Sequence, residues 1–256
     1  MKLIKIILAL VALFLFFGCA AQEAELSAAE YLSIGRDYMK DDNFRKAIPA
    51  FEAAVLASNN PDDARSAQLE LANAYFLRAD GAWFTYEDDF LNAVASYETY
   101  YDLYPNDPNE RLVLYRIAYS YSRISFAPRN DQTFTQNAVD YLKEYKRKFP
   151  NDNGEKDYES AASLLKRMNE KLAEHEYEVA KFYVRTKKPE SAVQRLLYLM
   201  REYPGTSFEP KSLVMLTEVS YKTPNLKSSA KTYFEELSAR FPDSEEIPSL
   251  KKKYGF

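Results

Sequence analysis

The chain has 256 residues, 46% hydrophobic and 28% charged, with a formal net charge of −4 that falls to −6 if a leader carrying Lys2 and Lys5 is removed. This acidic balance, with no basic stripe, excludes a phosphate-backbone partner, so no nucleic acid is expected. One Cys and one His leave almost no material for a metal site, a disulfide or a Ser–His or Cys–His catalytic unit; no enzyme activity, metal or cofactor is expected.

At the N-terminus, Lys2 and Lys5 precede an apolar run that closes on Gly18 and Cys19. The run is short for a spanning helix and lacks a basic stop-transfer flank, so it reads as an export signal. The sole Cys, directly after a small residue, resembles the lipobox of bacterial lipoproteins. That resemblance implies a signal peptide over residues 1–18, a lipidated Cys19 and, with Ala20 next rather than Asp, sorting to the outer membrane. The alternative is an uncleaved anchor helix. Two acyl chains already give stable anchoring. Residues 19–27 then form a lipidated tether whose stretch from Ala20 to Ser27 reaches at most about 25 Å, which keeps the first helices close to the bilayer.

From residue 28 onward a helical hairpin pattern recurs. Gly35 and Tyr38, then Ala47, Phe51 and Ala54, mark the first hairpin, with Asn43 as N-cap of its second helix and Pro49 inside it. Ala72 and Tyr75, then Ala93, Tyr97 and Tyr100, mark the second; Ala118 and Tyr121, then Ala138, Leu142 and Tyr145, mark the third. Inserts at residues 80–86, with Trp83, Phe84 and Tyr86, and at residues 126–133 lengthen these two hairpins on one edge. A breaker-free helical pattern over residues 155–188 joins the two halves of the chain. It leads into the fourth hairpin, with Ala180 and Tyr183, then Ala192, Leu196 and Leu199. In the fifth, Glu218 takes the small-residue place before Tyr221, Ala230, Phe234 and Leu237. Aromatic–Pro stops at Pro105, Pro150, Pro204 and Pro242 close four of the hairpins. This order of small, aromatic, small, large and Pro is that of a tetratricopeptide repeat.

The expected fold is therefore all-α, a tetratricopeptide-repeat solenoid of about five helical hairpins after a lipoprotein signal peptide. Residues 28–150 form an N-terminal half of three repeats, residues 151–242 a C-terminal half of two, and residues 243–256 a polar, fraying tail. The repeat Tyr residues account for most of the Tyr excess. His175 has no second ligand for a metal, and Glu174, Glu176 and Glu178 read as a solvated face.

A repeat array names no function by itself. The leader, the segment RNDQT at residues 129–133 and the segment LAEHEYEVAKFY at residues 172–183 together resemble the BamD family of outer-membrane assembly lipoproteins. The resemblance implies a non-catalytic, periplasm-facing scaffold on the outer membrane. Its C-terminal half would dock on a POTRA domain of a BamA-type β-barrel protein beside other assembly-machine lipoproteins, with Arg195 on the barrel-facing side. Its N-terminal half would receive unfolded barrel precursors. Arg129 is a second candidate contact, although Asp131 and Thr133 read more simply as a helix cap.

First-helix residues outside the packing positions line the concave face: Arg36, Met39 and Lys40, then Asn73 and Phe76, then Tyr115, Tyr119 and Arg123. Cations beside aromatic and amide groups suit an extended peptide with an aromatic end and a terminal carboxylate, which makes this the candidate client groove. The alternative for these residues is a solvated surface with local ion pairs. Alternative functions are another envelope adaptor lipoprotein, in pilus assembly or division, or a glycan-binding lipoprotein using Trp83, Phe84 and Tyr86.

Overall fold

A computed structural model describes residues 26–81, 87–152, 154–156 and 158–256. Eleven α-helices follow one another: α1 (Ala28–Lys40), α2 (Phe44–Ala57), α3 (Pro61–Asp80), α4 (Glu87–Leu103), α5 (Glu110–Arg123), α6 (Thr133–Lys148), α7 (Ala161–Arg185), α8 (Pro189–Glu202), α9 (Phe208–Lys222), α10 (Lys227–Arg240) and α11 (Ile247–Tyr254). Consecutive pairs from α1 to α10 make five antiparallel hairpins, and α11 closes the array. Each helix packs on its neighbours in sequence. First helices also meet across hairpins, α1 on α3, α5 on α7 and α7 on α9, while α3 and α5 are joined through the side chains of Asn73, Asp80, Arg116 and Tyr119.

Close approach explains the pattern. Ala47, Ala72, Ala93, Ala118, Ala138, Ala180, Ala192 and Ala230 are all fully buried, and Phe51, Tyr97, Leu142 and Leu196 fill the spaces beside them. In the first hairpin the small place is Gly35, where an added Cβ would stand 2.4 Å from Cε1 of the buried Phe51 ring. In the fifth hairpin Thr217 is fully buried, and Glu218, expected at the small place, keeps 34% of its side chain exposed. Its carboxylate accepts from Lys253 Nζ at 2.8 Å and Tyr254 O–H at 3.3 Å, both on α11.

Three expectations are corrected. The tail does not fray: α11 buries Leu250, and Phe256 stacks on Phe234 at 4.8 Å, because Pro248 starts an amphipathic turn and Gly255, at φ 74°, ends it in the left-handed region. Residues 155, 156 and 158–160 are not helical. The long helix starts at Ala161, where the Ser160 hydroxyl accepts the Ser163 N–H and caps it. Glu176 and Glu178 are not a free solvated face, since both carry Arg partners described below. Pro49 sits inside α2 on its exposed side, where water can reach the carbonyl it leaves unbonded, and the helix runs through it. Asn43 precedes α2 without a side-chain cap bond. The leader, Cys19 and residues 82–86 lie outside the described residues.

One hydrophobic cluster runs from Ala72 to Tyr203 and joins α3 through α8, with smaller clusters at either end. Residue 150 therefore does not divide the core. Gly35→Ala gains about 1 kcal/mol of helix propensity and loses roughly 1–3 kcal/mol to overpacking against Phe51. The expected net result is a lower urea midpoint at unchanged m-value, measured by circular dichroism.

Candidate peptide-binding groove

On α3, Asn73, Phe76 and Asp80 fall three and four residues apart, and on α5 so do Arg116, Tyr119 and Arg123, so the two stripes face each other across the first-helix surface. Arg116 is the centre of this surface, with only 12% of its side chain exposed. Its Nη1 donates to Asn73 Oδ1 at 2.9 Å and to the Tyr97 hydroxyl at 3.1 Å, while Tyr97 O–H donates to Asn73 Oδ1 at 2.8 Å. Its guanidinium lies over the Phe76 ring, 4.7 Å from the centroid. The remaining fork, Nε and Nη2, donates to the two carboxylate oxygens of Glu155, each at 2.8 Å.

Glu155 belongs to the segment linking α6 to α7, and that segment lies in the groove. Tyr158 packs edge-on against Tyr119 at 5.0 Å and also meets Phe76 and Tyr115. The Tyr115 hydroxyl donates to the Glu159 carbonyl. Gly154, at φ 100°, lets the backbone lie against Tyr115, where a Cβ would come within 2.7 Å of the ring. Upstream, the Asp152 carboxylate accepts from Tyr145 O–H, from Gly154 N–H at 2.8 Å and from Arg111 Nη1 at 3.3 Å. At the far end Arg123 pairs with Asp80 and donates to the Tyr119 hydroxyl at 3.0 Å.

The charges follow from these neighbours. Burial opposes the Arg116 charge, but Glu155 and Tyr97 outweigh it and hold the guanidinium above its ordinary range. Burial, with Asp80 nearby, pushes the Tyr158 hydroxyl up to about 12. Burial also tends to raise the Asp152 carboxyl, yet Tyr145, Gly154 and Arg111 together hold it below its ordinary value.

The expected client groove is thus corrected in its middle. Phe76 and Tyr115 are fully buried, Asn73 and Tyr119 are part-buried, and Arg123, although exposed, is engaged within the chain like them. Counting from the repeat found the right helix face, but the linker covers it. Arg36 and Lys40 on α1 stay open, with 49% and 74% of their side chains exposed, paired to Glu70 and Asp37 respectively. Arg116, Glu155 and Tyr158 were missed. An Arg amid an aromatic face, and an acid and an aromatic just after one of the six glycines, were the available signals.

The two proposed partner contacts both reach α7. Arg195 of α8 donates from Nη1 to Glu176 Oε2 at 3.0 Å, and Glu176 is buried. Arg129, 75% exposed in the α5–α6 loop, pairs with Glu178 at 3.1 Å. The loop is pinned beside them, as His175 Nδ1–H donates to the Pro128 carbonyl at 2.6 Å. Asp131 does help the turn into α6, accepting the Thr133 N–H at 2.9 Å. Next to Arg195, Tyr198 is part-exposed and carries the Arg201 guanidinium over its ring at 5.5 Å. Between α7 and α9 an open concavity of about 550 Å³ has Val184, Met215 and Val219 on its wall and Lys181, Arg185 and Lys222 around it.

Because the folded Asp152 carboxyl titrates below the unfolded one, its stabilising share is full above about pH 4 and is lost as pH falls through the folded value. Stability measured by urea melts at pH 6, 4 and 3 is expected to drop on acidification, and Asp152→Asn is expected to flatten that drop.

The profile of the YfiO outer membrane lipoprotein family matches residues 24–229. The outer membrane protein assembly factor BamD of Rickettsia prowazekii is 27% identical over 254 residues, covering 95% of this chain and 94% of that protein. BamD of Caulobacter vibrioides is 23% identical over 211 residues, covering 82% of this chain but only 65% of the relative's length. A solved structure of a TPR repeats protein from Bacteroides fragilis is 13% identical, with a TM-score of 0.48, covering 90% of this chain and 98% of that one. With a family profile spanning α1 through α9, the chain belongs to the YfiO outer membrane lipoprotein family; the similar proteins include the BamD assembly factors.

Proposed function

We propose that this chain is a non-catalytic scaffold of the outer-membrane β-barrel assembly machine, tethered by lipid on Cys19 to the periplasmic face of the membrane. The extent of the family match, from residue 24 to residue 229, carries this reading, since it takes in α1 through α9 and not one borrowed repeat. Tethering raises the effective concentration of partners in the same membrane, so modest contacts suffice.

In this reading residues 151–242 dock on the POTRA domain of a BamA-type barrel protein, beside companion lipoproteins. Arg195, Tyr198 and Arg201 on α8 are suited to such a contact. Aromatic and Arg side chains anchor interfaces, and the Glu176 carboxylate orients Arg195. Arg129 offers a second exposed cation on the neighbouring loop. Residues 28–150 receive the C-terminal segments of unfolded barrel precursors. Arg36 and Lys40 remain accessible for this, and the α3–α5 groove of Asn73, Phe76, Tyr115, Tyr119 and Arg123 is the deeper part of the same surface.

Mild-detergent purification of the tagged chain is expected to recover a BamA-type barrel protein. Tyr198→Ala with Arg201→Ala removes two outward-facing side chains, of which Tyr198 also meets the buried Tyr203 ring edge-on at 6.2 Å, so a thermal melt checks folding while recovery is expected to fall about tenfold or more. Recovery of pilus or division proteins in place of the barrel protein would overturn the proposal.

A further inference from the structure

The α3–α5 groove is filled, but its occupant is gripped as a ligand is gripped. Glu155 and Tyr158 project from a single turn, closed by the Tyr158 N–H donating to the Glu155 carbonyl at 3.2 Å. The acid meets a two-pronged guanidinium fork and the ring meets an aromatic floor. The receiving side is organised without them: Asn73 and Tyr97 hold Arg116 from behind, and Phe76 supports its face. Were the turn to leave, water would reach Arg116, so no orphaned buried charge would block departure. The fork would then present two parallel donors to any incoming carboxylate, a geometry Arg provides and Lys does not.

We propose that Gly154, Glu155, Tyr158 and Glu159 act as a resident ligand of a peptide-binding site, displaced by an extended segment that carries an aromatic side chain near a free C-terminal carboxylate. Arg116 takes the carboxylate, and Phe76, Tyr115 and Tyr119 take the ring. The inference rests on the reading that the first three hairpins receive barrel precursors, and it adds that they do so in competition with the chain's own turn. A segment in cis competes at roughly millimolar effective concentration, and apparent affinity is reduced by the fraction of molecules in which the groove is closed. Low affinity for free peptide in the unmodified chain is therefore built in, and client and linker occupancy exclude each other.

The test uses the full mature chain and a fluorescent peptide ending in Phe, as free acid and as C-terminal amide, read by anisotropy. Glu155→Gln with Tyr158→Ala is expected to bind the free acid at least about tenfold more tightly than the unmodified chain, with no matching gain for the amide. Arg116→Lys added to that pair is expected to return affinity towards the starting value. In the unmodified chain, saturating free acid is expected to speed amide hydrogen exchange at Gly154, Glu155, Tyr158 and Glu159. Folding of each variant is checked by its thermal melt. If the folded double variant binds the free acid no better, or the amide gains equally, the resident-ligand inference fails. If binding instead persists unchanged with crosslinks at Lys40 alone, that inference fails while the client reading stands. If neither chain binds the free acid, both fail.

Discussion

Everything in this molecule depends on how closely its helices approach. A hairpin with Ala or Gly at its crossing points and one large side chain beside them cannot bury its second face alone, so each hairpin is completed only by the next. The Gly35–Phe51 contact shows how little slack there is, with the ring edge sitting where a methyl group would go. Where the repetition ends, the same constraint appears in another form. Thr217 is fully buried on α9, and α11 engages its part-exposed neighbour Glu218 through Lys253 and Tyr254.

From that stacking comes a first-helix face, and from the face come two surfaces of unlike character. Towards the N-terminus the α3–α5 groove holds Arg116, whose donors are divided between the scaffold and the linker turn. Towards the C-terminus the α7–α9 concavity is open, with apolar walls and surrounding cations. Between them runs α7, which receives Arg195 on Glu176 and Arg129 on Glu178 from two different hairpins. A linker that contacts the N-terminal groove leads directly into α7, so one stretch of chain adjoins both surfaces.

The fold was legible in the sequence because small–large periodicity and aromatic–Pro stops are local signals that survive wide divergence elsewhere. Ala118, Tyr121, Ala138 and Leu142 could be placed from spacing alone, and all four are buried where the repeat requires. The site was only half legible. Spacing identified the face that holds Phe76, Tyr115 and Tyr119 but carries no information about what covers it, and the cover comes from 39 residues downstream of Arg116. The tail misled for a related reason: Leu250 and Phe256 are too few to announce a helix, yet they suffice once α9 and α10 offer a surface. Glu176 read as solvated because its partner, Arg195, lies on the next helix of the hairpin.

The central claim is that one uninterrupted cluster joins α3 through α8, with no break where the two halves meet in sequence. Native-state hydrogen exchange across a urea series measures this most directly. The buried amides of α5 and α6 are expected to open together with those of α7 and α8 in a single cooperative unit, with the same dependence on urea. Separate openings on either side of residue 150, with different free energies and different urea slopes, would contradict it.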